Sequence, residues 1–224
     1  MSEPIISNYG IYSVASFKKP LLSISSAMIN PGLYEASIFI NRTVPVDYNP
    51  QHVQEEFIDF LVQHDLPIEK SVAMMTAVNQ EFLFIDTFQD GELTLTVMLT
   101  AGLGNAVDIT ASHRYTYQSR IGTINIFVFI DGHLTVEALM QAYSAVTETK
   151  VKTLIQRNIV DKKSGTLATG TSTDSVCVAA TQQGELYPYA GSITKLGSLI
   201  GKGVAHTLHR AIDNYIIYTK GRLK

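Results

Sequence analysis

Apolar and polar residues alternate with a period of two over several short stretches of this chain, and with a helical period over three longer ones. Ile11 to Phe17 and Leu21 to Ser25 read as strands, and Lys18-Lys19-Pro20 between them predicts a hairpin turn. Asn30-Pro31-Gly32 carries turn chemistry, and Ser37 to Val44 is rich in β-branched residues. Ser71 to Val78, Phe82 to Gln89 and Leu93 to Leu99 predict three more strands, with Asp90-Gly91 a hairpin signal between the last two. Gly122 to Ile130 is apolar on both faces toward its end, the pattern of a central strand. Val176 to Thr181 is a short strand pattern late in the chain.

The helical stretches run from about Asn49 to Gln63, Thr135 to Asn158 and Thr194 to Ile217. Val53, Phe57, Phe60 and Leu61 share one face of the first. Val136, Leu139, Tyr143, Val146 and Leu154 do so in the second, and Leu196, Leu199, Val204 and Leu208 in the third. Strands arrive in hairpins and helices come late. The pattern therefore predicts a single α+β domain, with a mixed, largely antiparallel sheet covered by helices.

Composition narrows the function classes. Of 224 residues, 46% are hydrophobic and 17% charged, enough apolar matter for one sizeable core. A net charge of -3 argues against a nucleic-acid partner, which needs a clustered basic face. The single cysteine, Cys177, excludes an intramolecular disulfide and a cysteine zinc site, and its apolar strand setting predicts an inert buried thiol. Met1-Ser2-Glu3-Pro4 lacks the start of a signal peptide, and Ile124 to Ile130 is too short to span a bilayer. A soluble cytoplasmic protein with no membrane partner is expected, and a homo-oligomer is left open.

Candidate chemistry concentrates between Ser164 and Val204. Two polar turns lie there, Thr169 to Asp174 and Tyr189 to Lys195, with the late strand between them. Glycine permits close backbone approach, and hydroxyls with a carboxylate supply donors and acceptors. Lys195 stands in the first turn of a helix, where the macrodipole disfavours a cation unless it meets an anion. Gly191 and Ser192 before it offer backbone N–H groups to an oxyanion. The short strand predicts that the turns sit side by side, and the anion for Lys195 is then Asp174 in the free protein or an oxyanion that develops in a reaction. Familiar motifs fail: Gly197 to Gly203 has a P-loop flavour with the wrong spacing, and no Gly-x-Ser-x-Gly elbow is present. His206 and His209 lack the carboxylate companions of a di-iron site.

From about Ser25 to Ala211 the chain resembles the adenosylcobinamide amidohydrolases of corrinoid salvage. The resemblance rests on six ordered motifs: Ser25-Ser26-Ala27 with Asn30 and Gly32; Thr100-Ala101-Gly102-Leu103 with Asn105-Ala106; Gly122-Thr123-Ile124-Asn125-Ile126; Thr147-Glu148 with Lys150; Ala168-Thr169-Gly170-Thr171 with Thr173-Asp174; and Tyr189-Ala190-Gly191 with Thr194-Lys195-Leu196-Gly197. It implies hydrolysis of the amide between a corrin-ring propionyl group and aminopropanol, releasing adenosylcobyrate. The corrinoid is then the substrate, and no cofactor is implied. Against that chemistry Asp174 is a base or acid, Thr171 and Thr173 are hydroxyls, and Lys195 is an oxyanion or proton partner. Asn30, Asn105, Thr169, Gly170, Gly191, Ser192 and Thr194 are the expected substrate contacts. A threonine nucleophile and an Asp-held metal both stay open. So do a corrinoid-binding module without hydrolysis and an amidohydrolase for another large amide.

Overall fold

The computed structural model describes residues 4–117 and 122–221, with side chains through Thr219. Met1 to Glu3, part of the N-terminal reading, lie outside the described residues. In chain order the elements are β1 (Ile5–Asn8), β2 (Tyr12–Ser25), β3 (Gly32–Thr43), α1 (Val53–Gln63), β4 (Ser71–Thr76), β5 (Phe84–Asp90), β6 (Leu93–Ala101) and β7 (Ala106–Val107). Then follow β8 (Ile124–Asp131), β9 (His133–Leu134), α2 (Val136–Gln156), β10 (Gly170–Thr171), β11 (Ser175–Ala180), β12 (Leu186–Tyr187) and α3 (Lys195–Gly221).

The main sheet has eight strands in the order β4-β3-β2-β11-β8-β6-β5, with β1 added beside β2. The β3–β4 and β11–β8 pairs are parallel and the rest of this sheet is antiparallel. The α+β class and the mixed, largely antiparallel sheet read from the sequence are what the structure holds. β8 is central, and all but its last residue are buried. Asp90-Gly91 turns the β5–β6 hairpin.

One element is corrected. Lys18-Lys19-Pro20 does not turn a hairpin; Tyr12 to Ser25 is one strand of 14 residues with a register shift between Ser16 and Leu21. A bulge absorbs Pro20, which lacks the N–H a regular ladder requires. It also lets β2 serve two halves of a curled sheet. Tyr12 and Val14, before the bulge, lie under α1 with Phe57, Phe60 and Leu61. Leu22 and Ile24, after it, pack against the layer formed by α2 and α3. The opposite face of the strand, with Ala15, Phe17 and Leu21, looks inward throughout.

The sheet closes on that inner face. Phe39 of β3 and Phe129 of β8 meet with ring centroids 5.0 Å apart, and Phe17 lies 5.0 Å from Phe129. Asn125 of β8 reaches the Met75 carbonyl of β4 at 3.0 Å. The layers are thus helix, half-sheet, half-sheet, helices, and α1 and the α2–α3 pair cover opposite outer surfaces. Apolar rows every third or fourth residue, Leu139, Ala142 and Val146 on α2 and Leu196, Ile200 and Val204 on α3, are what hold the helices on the sheet.

Candidate active site

The sheet's inner face is apolar until its end, where it turns polar. Asn41, Thr100 and Asn125 are fully buried there. Asn41 donates to Thr100 Oγ1 at 3.0 Å, and Asn125 donates to Asn41 Oδ1 at 2.7 Å. Ser26 and Ser175 interlock beside them: Ser175 Oγ donates to the Ser26 carbonyl at 2.8 Å, and the Val176 amide donates to Ser26 Oγ at 3.1 Å. Five of the six motifs send residues to this end of the molecule. It is where β2 and β6 finish and where β8 and β11 begin.

Asp174 occupies the position just before β11. Its carboxylate accepts from Lys150 Nζ, from Thr171 Oγ1, from the Thr171 amide at 3.0 Å and from the Ile124 amide at 3.0 Å. Both oxygens are therefore engaged twice, which fills a carboxylate's acceptor capacity. The Lys150 and Asp174 side chains are each only 9% exposed, so the ion pair is nearly closed to water. Gly170 is required by it: a Cβ there would stand 2.6 Å from Asp174 Oδ2 and 3.0 Å from Lys150 Nζ. The pair ties the middle of α2 to the first polar turn, and the Ile124 bond ties that turn to β8.

The other expected residues of this turn gather around it. Thr123 Oγ1 donates to the Thr173 carbonyl, and Thr173 Oγ1 donates to the Gly122 carbonyl at 3.4 Å. Asn105 Nδ2 donates to Ser172 Oγ at 2.6 Å. Thr169 Oγ1 accepts from the Ile109 amide at 3.0 Å and donates to the Val107 carbonyl, where β10 meets β7. Thr171, Thr173, Asp174, Thr169, Gly170 and Asn105 thus form one cluster, with Ser172 and Thr173 exposed and Gly170 buried.

The second turn is elsewhere. It follows the far end of β11, and the segment before it pairs β12 with β9, beyond the end of β8. Lys195 is exposed, and its Nζ lies 3.1 Å from where a Gly91 Cβ would stand, at the β5–β6 turn. Asp174 instead adjoins Ile124, whose partner on β6 is Ala101, at the other end of that strand. The nine residues of β6 separate the two places, a span of about 26–30 Å at strand rise. The expected Lys195–Asp174 contact and side-by-side turns are corrected: a strand is extended, so even six residues of β11 carry the chain away rather than back.

Gly191, Ser192 and Thr194 lie with Lys195 at that far end. Thr194 donates its hydroxyl proton to the Gly191 carbonyl at 2.8 Å and accepts from the Gly197 amide at 3.0 Å, which is the bonding of a helix cap. A Cβ at Gly197 would meet the Gly191 carbonyl at 2.1 Å. Asn30 is also away from the cluster. Its amide donates to the carbonyls of Ile68 and Ser71 at the start of β4, and its φ of 53° suits the residue type.

Lys150 stands in one of the six motifs, but the sequence reading gave it no role. Its signal was legible: it lies four residues after Val146 and four before Leu154, on the apolar face of α2. A lysine on a core-facing row needs a buried anion. Cys177, by contrast, is fully buried and its thiol is pushed far up by that burial, in keeping with an inert residue. Among the described residues no group of three or more His, Cys, Asp or Glu is placed to hold a metal ion. No described helix is long and apolar enough to cross a membrane.

An uncharacterised protein of Methanocaldococcus jannaschii, MJ1613, is 27% identical over 201 residues, covering 81% of this chain and 78% of that one. Two solved structures align with the chain at 10% identity. The PH0078 protein of Pyrococcus horikoshii OT3 has a TM-score of 0.45, covering 96% of this chain and 82% of that one. A Burkholderia sp. beta-aminopeptidase has a TM-score of 0.47, covering 95% and 82%. Both scores lie below one half, so neither bears on function. The family model described as CbiZ, adenosylcobinamide amidohydrolase, matches residues 5–220, which takes in the Lys150–Asp174 pair and all the residues around it. By that match, over nearly its whole length, the chain belongs to the adenosylcobinamide amidohydrolase family.

Proposed function

We propose that the protein hydrolyses the amide joining the corrin-ring propionyl group of adenosylcobinamide to aminopropanol, in the cytoplasm and without a cofactor. Family membership supports the substrate. The observation that carries the chemistry is the bond from Thr171 Oγ1 to Asp174, on a carboxylate fixed by buried Lys150. Because Asp174 is already engaged four times, it has no acceptor site left for an added water. The hydroxyl whose proton it can take is that of Thr171.

Hydrolysis runs in two balanced steps. Thr171 Oγ attacks the amide carbonyl carbon while its proton passes to Asp174. The C–N bond then breaks as that proton moves to the leaving nitrogen, releasing aminopropanol and an ester on Thr171. Water cleaves the ester in the second step, giving the corrinoid acid and restoring the hydroxyl. Lys150 holds Asp174 in place throughout. The oxyanion role first expected of Lys195, Gly191 and Ser192 is not carried over, since they stand at the other end of the sheet.

Incubation of the pure protein with adenosylcobinamide tests this, with mass spectrometry of the corrinoid and of the released amine. An acidic corrinoid and free aminopropanol are expected in equal amounts. Tight binding with no release would instead favour a corrinoid-binding module, and turnover of other large amides alone would move the substrate. A protein adduct on Thr171 in quenched single turnovers tests the nucleophile separately.

A further inference from the structure

Two clefts lie beside the loop from Leu103 to Ala106, next to the Thr171–Asp174 turn. One, of about 440 Å³, is largely apolar; Phe82, Tyr215 and Tyr218 stand in its walls, and Gly102, Gly104 and Gly122 border it with bare backbone. Phe82 and Tyr218 brace each other, with ring centroids 4.7 Å apart. The other, of about 300 Å³, has a mixed lining: Leu103, Val107 and Val160 stand beside Asn105, Lys162 and Lys163. Gly104 borders both.

The turn joins the two clefts. Ser172, in the mixed one, holds Asn105, and Thr173 bonds the carbonyl of Gly122 in the apolar one. The glycines differ in a telling way. A Cβ on Gly102 would stand 2.8 Å from Val78 Cγ2, and one on Gly122 would stand 2.7 Å from Asn105 Oδ1, so either would force a neighbouring side chain to shift. A Cβ on Gly104 would meet only Tyr215 Oη, at an ordinary 3.5 Å, and its φ is not in the left-handed region. Neither packing nor backbone requires glycine at 104, which stands in the lining of both clefts.

Resting on the amide-hydrolysis reading above, the geometry points to one substrate laid across both clefts. The broad apolar edge of a ring lies in the first, against the tyrosines and the glycine backbone. The polar amide arm passes Gly104 into the second, where Asn105 and the lysines meet its hydroxyl, and the scissile carbonyl stops beside Thr171. Aromatic walls remove apolar ring surface from water, and bare backbone lets a flat body approach closely.

The test separates ring from arm by using the product. Adenosylcobyrate carries the ring and no arm, so its binding to the full-length protein, measured by calorimetry, reads the apolar cleft alone. Tyr218→Ala and Gly104→Leu are each expected to weaken it about ten-fold or more. The double variant Lys162→Ala/Lys163→Ala is expected to change acid binding less than about two-fold while raising KM for adenosylcobinamide several-fold. Thermal melts check folding, and if Gly104→Leu fails to fold, Tyr218→Ala decides. Unchanged acid binding in the folded apolar-cleft variants, with a wild type that hydrolyses the amide, overturns this placement and leaves the activity standing. So does a lysine variant that loses acid binding as much as Tyr218→Ala. A wild type that neither binds the acid nor cleaves the amide removes the functional reading and the placement with it.

Discussion

The two polar turns on either side of β11 have nearly the same composition and opposite fates. Each has glycine, threonine, serine and one charged residue. In the first, the polar side chains build a network centred on the 9%-exposed Lys150–Asp174 pair. In the second, the threonine caps α3, Gly197 of the helix lets the turn's backbone lie close, and the lysine stands exposed beside the β5–β6 hairpin. Glycine and threonine content marks a turn. A buried charge needs a counter-ion, and that pairing fixes where its neighbours stand.

Breaking the pair gives the largest expected effect. Asp174→Asn is expected to lower single-turnover hydrolysis by about 10²–10⁴, the range for loss of a general base. It also leaves Lys150 buried without its anion, at a cost of roughly 3–5 kcal/mol in denaturant unfolding. The double variant Lys150→Met/Asp174→Asn should recover part of that stability, since no charge is stranded and the single oxygen of the introduced carboxamide still accepts from one of the two backbone amides. Its turnover should stay low. A double variant that regains both would make the pair purely structural.

Thr171→Val comes next, because it removes one hydroxyl and keeps the volume. Turnover per folded molecule is expected to fall by about 10² or more, with a stability loss of roughly 1.5–3 kcal/mol for a hydrogen bond to a charged group. Near-normal turnover would return the nucleophile's role to water.

The second turn supplies the contrast. Lys195→Ala should leave turnover almost unchanged and stability within about 0.5 kcal/mol, as for a surface substitution. Thr194→Ala should cost about 1 kcal/mol through the lost cap, again without touching turnover. A large fall in turnover with Lys195→Ala, measured on the same preparation as its melt, would undo the distinction between the turns.

The smallest effect lies in acid. Asp161 anchors the loop ahead of the first turn, accepting from Tyr117 Oη at 2.7 Å and from the amides of Lys163 at 2.8 Å and Asp108 at 3.1 Å. Burial pulls its pKa up, but those bonds outweigh it and hold the carboxyl at about 2, below the ordinary 3.8. A depressed carboxyl contributes stability that is fully present above its unfolded value and is lost as pH falls through the folded one. Hydrogen exchange should therefore rise at residues 161–169 between pH of about 4 and 2, ahead of any rise at residues 189–195. Asp161→Asn should flatten that dependence.

How far the sequence reached can be judged from particular elements. Periodicity placed the helices and most strands of the main sheet because hydrophobic burial repeats every two or every three to four residues, and that repeat is local. It failed at Lys18-Lys19-Pro20, where a bulge and a turn demand the same residues and only the neighbouring strands choose between them. Asp174, Thr171 and Asn105 were read as site residues from motif and chemistry, and the structure brings them together. Lys150 was quoted in a motif, but its role was missed because the row of α2 it occupies was read for apolar residues alone.

Which end of the sheet each turn would reach could not be read along the chain. Sequence alone determined the α+β class, the hairpin at Asp90-Gly91, the buried inert Cys177 and the carboxylate at the heart of the candidate site. Tertiary structure decided that Asp174 would meet Lys150 and not Lys195. The physical reason is geometric: β11 is extended and carries the second turn to the opposite edge of the core, while α2 crosses the sheet and delivers a lysine from 24 residues upstream to the first. A contact that depends on where two rigid elements cross has no periodicity of its own, so only the packed core could specify it.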